Sequence, residues 1–141
     1  MTEQDIKNKN LVLIDYLDSI ITGYKIKAEY STNDNDIKVI VVQETAGQKI
    51  VLWDTNPLYN YYNIDIYGDN IKNAKETSVI IGNLIGNNIY FDWETQVDKK
   101  HETQKWQIMF KQFTNPRTIA YEDIRRVSYS ATLQCIVNRI N

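Results

Sequence analysis

Cysteine, histidine and proline are nearly missing from this chain, and each shortage closes a line of interpretation. One cysteine in 141 residues, Cys135, rules out an intramolecular disulfide and fits a chain made in a reducing compartment, by default the cytosol. The one histidine, His101, stands in "DKKHET", the most hydrophilic stretch. A triad or metal cluster needs partners at defined spacing, and none accompanies it, so a solvated loop histidine is expected. Two prolines and five glycines are too few for a low-complexity or disordered chain. No apolar run approaches the roughly 20 residues that span a bilayer. The most apolar early segment, "LVLIDYLDSIITGY", carries Asp15 and Asp18, too polar for a signal-peptide core. Charge of one sign is also lacking: 16 basic against 18 acidic residues, with a pI near 5.4, give no global field that would hold a phosphate backbone.

What is present is the material of a core. The chain is 43% hydrophobic, with ten tyrosines and three tryptophans. A single domain of this size buries roughly two thirds of its unfolded surface and needs no staple. Thr2 and Asp5 resemble a helix-opening cap, and Ile6, Leu13, Ile14, Leu17, Ile20 and Ile21 recur at helical spacing up to Gly23. From Tyr24 the period changes to two, with Tyr24, Ile26, Ala28 and Tyr30 alternating with Lys25, Lys27 and Glu29. "STNDND" reads as a turn, "IKVIVVQ" as a more fully buried strand, and "KIVLW" as its antiparallel neighbour, so the three strands are expected to form a meander.

After Asn56-Pro57, "YYNIDIYG" alternates with Tyr62, Ile64 and Ile66 on one side. Asp69 or Asn70 caps a second helix whose face carries Ile71, Ala74, Ser78, Ile81, Leu84 and Ile85, ending near Gly86. The rest reads as β: "NIYFDWE", a polar loop "TQVDKKHETQ", the alternating "QKWQIMFKQF", a turn at Asn115-Pro116, and a closing strand from Arg125. The expectation is one α+β domain over residues 1–141, mainly antiparallel sheet packed by an N-terminal and a central helix, in the order αββββαβββ.

Residues that could carry chemistry are outweighed by plainer roles. Cys135 shares parity with Val127, Tyr129, Ala131, Leu133 and Val137, which makes it a small core residue. Asp34 and Asp36 in "NDND" lack the glycine and later glutamate of a calcium loop. Gly82 and Gly86 do not stand between a strand and a helix N-terminus, so they are no nucleotide fingerprint; one is expected to permit close helix packing and the other to end the helix. The aromatic run "YNYYNIDIY" has no interleaved Lys or Arg and suits strand packing better than base or sugar stacking. Glu122 and Asp123 are adjacent and so diverge on an extended chain, which defeats an acid/base pair; with Arg125 and Arg126 beside them, ion pairing within the fold or across a subunit contact is the simpler reading. No catalytic, cofactor-binding or metal residue is assigned, and a non-enzymatic role is expected.

Order and texture together resemble the tail terminator proteins of long-tailed bacteriophages, also described as tail-to-head joining or minor capsid proteins. The resemblance covers most of the chain: an N-terminal amphipathic helix and a meander, the strand "NIDIYGDN", the helix "IKNAKETSVIIGNLIG" with Ala74 against the sheet, and "NPRTIAYEDIRRVSYSATLQCIV". In that family a proline-bearing segment leads to an acidic turn, a basic residue and a long alternating strand; here Pro116, Glu122, Asp123, Arg125 and the strand from Val127 hold those places. The polar insertion "TQVDKKHETQKW" is not mapped onto the family pattern, and no role is assigned to it.

The resemblance implies a hexameric ring that caps the head-proximal end of the tail tube, stops its polymerisation and joins tail to head. The implied partners are further copies of the chain, the tube protein, a head-side connector and, in a contractile tail, the sheath. DNA would pass through the lumen without specific binding, no membrane is involved, and the protein would end in the virion after synthesis in the bacterial cytoplasm. Glu122, Asp123, Arg125 and Arg126 become candidates for a subunit or tube contact. Leu11 or Val12 joins them as an extra apolar residue on the first helix. Two other readings stay open: another neck or tail-completion protein, including the terminator of a contractile phage-tail-like bacteriocin, and a monomeric module binding glycan or peptide.

Overall fold

The structure is a computed structural model, described over residues 3–28, 38–44, 59–68, 70–97, 100–121 and 127–140. It is α+β, as the periodicities require. Helix α1 spans Glu3–Ile20. Its buried stripe of Lys9, Val12, Leu13, Tyr16 and Leu17 follows the three-to-four spacing of one helix face, and Gly23, at φ 84°, releases the chain beyond it. Strands β1 (Lys25–Lys27), β2 (Val39–Glu44) and β3 (Tyr59–Gly68) follow, then helix α2 (Ile71–Gly82). Asn70 caps α2, its side-chain oxygen accepting from the Asn73 N–H at 2.9 Å. Strands β4 (Asn88–Val97), β5 (Lys100–Tyr121) and β6 (Val127–Arg139) complete the chain.

The six strands form one sheet in the order β1-β2-β3-β6-β5-β4. Both helices lie on the face that carries Tyr62, Ile64, Ile66, Leu133 and Cys135. α1 touches both end strands, with Tyr16 edge-on to Phe91 of β4 and Asp15 accepting from the Trp93 indole, so the sheet curls around it. The opposite face is lined on β6 by Ser128, Ser130, Thr132, Gln134 and Asn138, and Gln134 donates to the Tyr61 hydroxyl at 3.1 Å.

Four expectations need correction. β1 pairs with β2 in parallel, at Lys25↔Val39 and Lys27↔Val41, so the first strands are not a meander. Alternation along a strand is the same in parallel and antiparallel ladders, whereas the choice between them rests on the path of the connection. The antiparallel partner of β2 is β3 along all of Val39–Glu44; "KIVLW" and "STNDND" lie outside the described residues, and the described order is αβββαβββ.

The polar stretch 95–104 is no loop. β4 and β5 stay paired out to Val97↔Lys100, and His101 stands in β5 opposite Gln96. A ladder is held by backbone groups, so a hairpin end needs no apolar residue. Asn115-Pro116 does not turn the chain either. Thr114 pairs with Thr132 and Arg117 with Ser130, so the extra residue is taken up as a bulge inside a 22-residue strand. The bulge lets the ladder pass a proline that has no N–H to donate.

Finally, the close approach of helix to sheet is at Gly68. A Cβ there would lie 3.5 Å from that of Ala74 and 3.3 Å from the Tyr24 hydroxyl oxygen, whereas one on Gly82 would meet only Phe113 at 3.9 Å. α2 ends at Gly82, and Gly86, at φ 87°, turns the chain into β4.

Candidate functional site

The charge-dense segment that drew attention in the sequence joins the two longest strands. β5 and β6 pair up to Tyr121↔Val127, and Glu122, Asp123, Arg125 and Arg126 follow that last pair, outside the described residues. β6 is held on both sides, by β3 from Gly68↔Val127 to Tyr59↔Ile136 and by β5 on its other edge. The hairpin that carries the four charged residues is therefore anchored in the middle of the sheet.

The two candidates on α1 separate. Leu11 is 48% exposed, while Val12 is fully buried in the chain's own core and has no surface to offer a neighbour. The assignment of Val12 to a contact is corrected accordingly: on a helix adjacent residues point about 100° apart, so the two cannot share a role.

Cys135 lies in the core as its parity requires. Burial, chiefly, pushes its thiol well above the ordinary value of 9.0, which keeps it protonated and removes it from nucleophilic chemistry. It does not stand among apolar groups alone. Lys9 of α1 is 5% exposed, within electrostatic reach of Cys135 and of Glu44 at the end of β2; burial lowers its pKa and Glu44 opposes that shift. Tyr62 stands in register with Glu44 and is fully buried, its hydroxyl without a hydrogen-bond partner among the described residues. Sequence reading missed Lys9, although its position four residues before Leu13 placed it on the apolar stripe.

The sheet ends bear charges of opposite sign. β1 carries Lys25 and Lys27, and β4 carries Asp92 and Glu94, both outside the helix-covered face. Tyr90 on β4 is 70% exposed, and the outer side of α2 shows Val79 and Ile80 at 57% and 41%. Among the described residues no three His, Cys, Asp or Glu side chains gather as a metal site, and no helix is long and apolar enough to cross a membrane. Among the described residues the surface features are an exposed leucine on α1 and two end strands of opposite charge. Neither a family model nor a curated protein matches the chain.

Proposed function

We propose that this is a structural virion protein of the tail terminator kind, forming a hexameric ring that caps the head-proximal end of a tail tube, halts its polymerisation and joins it to the head. The observation that carries this reading is the β5–β6 hairpin. Its closing strand commits Tyr129, Leu133, Cys135 and Val137 to the core, while Glu122, Asp123, Arg125 and Arg126 are confined to the connection beyond Tyr121↔Val127. A strand pair held within the sheet whose connection carries mixed charge suits a joint between subunits, since charged groups set register and exclude wrong partners. The resemblance of the stretch from "NIDIYGDN" through α2 to the closing strand supports the same reading, as does a net charge of −2, which lets DNA slide past without adhering. The reading of a glycan-binding tyrosine strand is weakened by β3 itself: Tyr62 is buried and the Tyr61 hydroxyl accepts from Gln134.

The test is the double reversal Arg125→Glu with Arg126→Glu. The expected outcome is a folded monomer, by circular dichroism and thermal melting, that forms rings or caps tubes poorly in electron micrographs. Wild-type capping by the double variant sinks the assignment of these residues. Imaging of assembled particles with the protein labelled decides the wider reading: six copies at the head-proximal end of the tube are expected, and any other location refutes it.

A further inference from the structure

The end strands of a sheet must manage the backbone groups on their outer sides. Among the described residues no strand pairs with the outer edge of β1 or of β4. Such edges template further pairing unless charge or cover prevents it. Here the charges are not of one sign. Ile26 pairs with the fully buried Ile40 on the helix-covered face, so Lys25 and Lys27, on either side of it, project from the other face. On β4, Trp93 is 6% exposed and Phe91 packs on Tyr16, so Asp92 and Glu94 also project from the face without helices. Asp92 stands opposite Lys105 within the chain, and Glu94 opposite Thr103. Two lysines and two acids therefore share one face and one spacing of alternate strand residues, roughly 6.6 Å.

Strand direction decides how the edges can meet. β1 runs parallel to β2, and the steps β2 to β3, β3 to β6, β6 to β5 and β5 to β4 are all antiparallel. An even number of reversals leaves β1 and β4 pointing the same way. When one copy follows another by a rotation about an axis along the strands, the β4 edge of the first meets the β1 edge of the next in parallel, with like faces aligned. Placing Ile26 beside Trp93 of the neighbouring copy then sets Lys25 against Asp92 and Lys27 against Glu94. A two-fold pairing of β4 edges centred on Trp93 would face acid with acid, and one of β1 edges centred on Ile26 would face lysine with lysine. Cross-strand like charges are unfavourable and opposite ones favourable.

We infer that a second copy of this chain docks head to tail on the sheet, the β1 edge of one copy against the β4 edge of the next, with Lys25 and Lys27 paired to Asp92 and Glu94. The contact is heterologous, so repetition gives a ring if the rotation closes and a filament if it does not. The pairing stands on the edges and their charges; only its placement in a hexameric ring rests on the function proposed above.

Charge exchange tests it. Lys25→Glu with Lys27→Glu makes both edges acidic, and Asp92→Lys with Glu94→Lys makes both basic. Each double variant should fold like the parent by circular dichroism and self-associate about tenfold more weakly in sedimentation at low salt. Mixed in equal amounts, the two should regain parental association, because every β1 edge then finds an opposite β4 edge. Single cysteines should agree: Lys25→Cys mixed with Asp92→Cys forms a crosslinked dimer, and neither does so alone. Unchanged association in either charge variant, or no recovery on mixing, overturns the proposal. So does a parent chain that stays monomeric to the highest concentration it tolerates. Tube capping by the charge variants at parental levels would remove edge pairing and leave the terminator reading standing; edge pairing without capping would do the reverse.

Discussion

Replacing Tyr62 with Phe should make this protein more stable, against the usual direction for a core substitution. Tyr62 is fully buried on the helix-covered face of β3, between Glu44 and Leu133 in the neighbouring strands, and its hydroxyl has no hydrogen-bond partner among the described residues. A hydroxyl taken from water without compensation costs about 1–3 kcal/mol on protein mutational scales. Removing the oxygen leaves a small hole, and at about 24 cal/mol per Å³ of residual cavity this returns only a few tenths of a kcal/mol. The net gain expected for Tyr62→Phe is about 1 kcal/mol. In urea denaturation the midpoint should rise at an unchanged m-value, and the melting temperature should climb by roughly 2–4 °C for a chain of this size. A loss of about 1 kcal/mol or more would refute the reasoning, because it would mean that the hydroxyl is bonded in solution, for instance through water to Lys9 or Glu44.

Leu17, fully buried on α1, should cost about 2–5 kcal/mol when replaced by Ala, read as a lower urea midpoint, since α1 packs its buried stripe into the core against the sheet. A double-mutant cycle on Asp15→Ala and Trp93→Phe should give a coupling of about 1 kcal/mol, as the 2.6 Å bond from indole to carboxylate is only part-buried; no coupling would mean that solvent replaces it. Stability should fall on the alkaline side. Tyr62 and Cys135 keep their protons in the fold above the ordinary values of 10.0 and 9.0, mainly through burial, so the unfolded chain sheds protons first as pH rises and is favoured. Lys9 works in the opposite sense, because burial lowers its pKa below 10.5 and the unfolded chain then holds the extra proton. Cys135→Ala should accordingly flatten the loss between about pH 8 and 10 in denaturation series, and a loss as steep as in the parent would count against the buried thiol as its source.

Most elements are legible along the chain because their signal is local. The three-to-four spacing from Leu13 to Ile21, the alternation of Tyr62, Ile64 and Ile66, the Asn70 cap and the core parity of Cys135 all return in the structure. Each depends on how neighbouring residues share a helix stripe or a strand face. The candidate contacts were legible only as composition. Mixed charge at 122–126 marks a candidate contact in the sequence, and it names no neighbour. Leu11 and Val12 look alike in sequence, and only the packing of α1 tells the exposed one from the buried one.

By itself, then, the sequence determined the kinds of element, their order from β3 through α2 to β6, and which residues of the closing strand turn inward. Tertiary structure decided that β1 runs parallel to β2, that β5 continues through Pro116 on a bulge, that Gly68 lets α2 approach the sheet, and that Lys9 is drawn into the core beside Cys135. It also placed two lysines on one end strand of the described sheet and two acids on the other. The physical reason is common to all of these. Periodicity is a property of the chain within a few residues, whereas pairing direction, burial of a charge and the sign of a free edge depend on segments far apart in sequence that meet only when the sheet curls around α1.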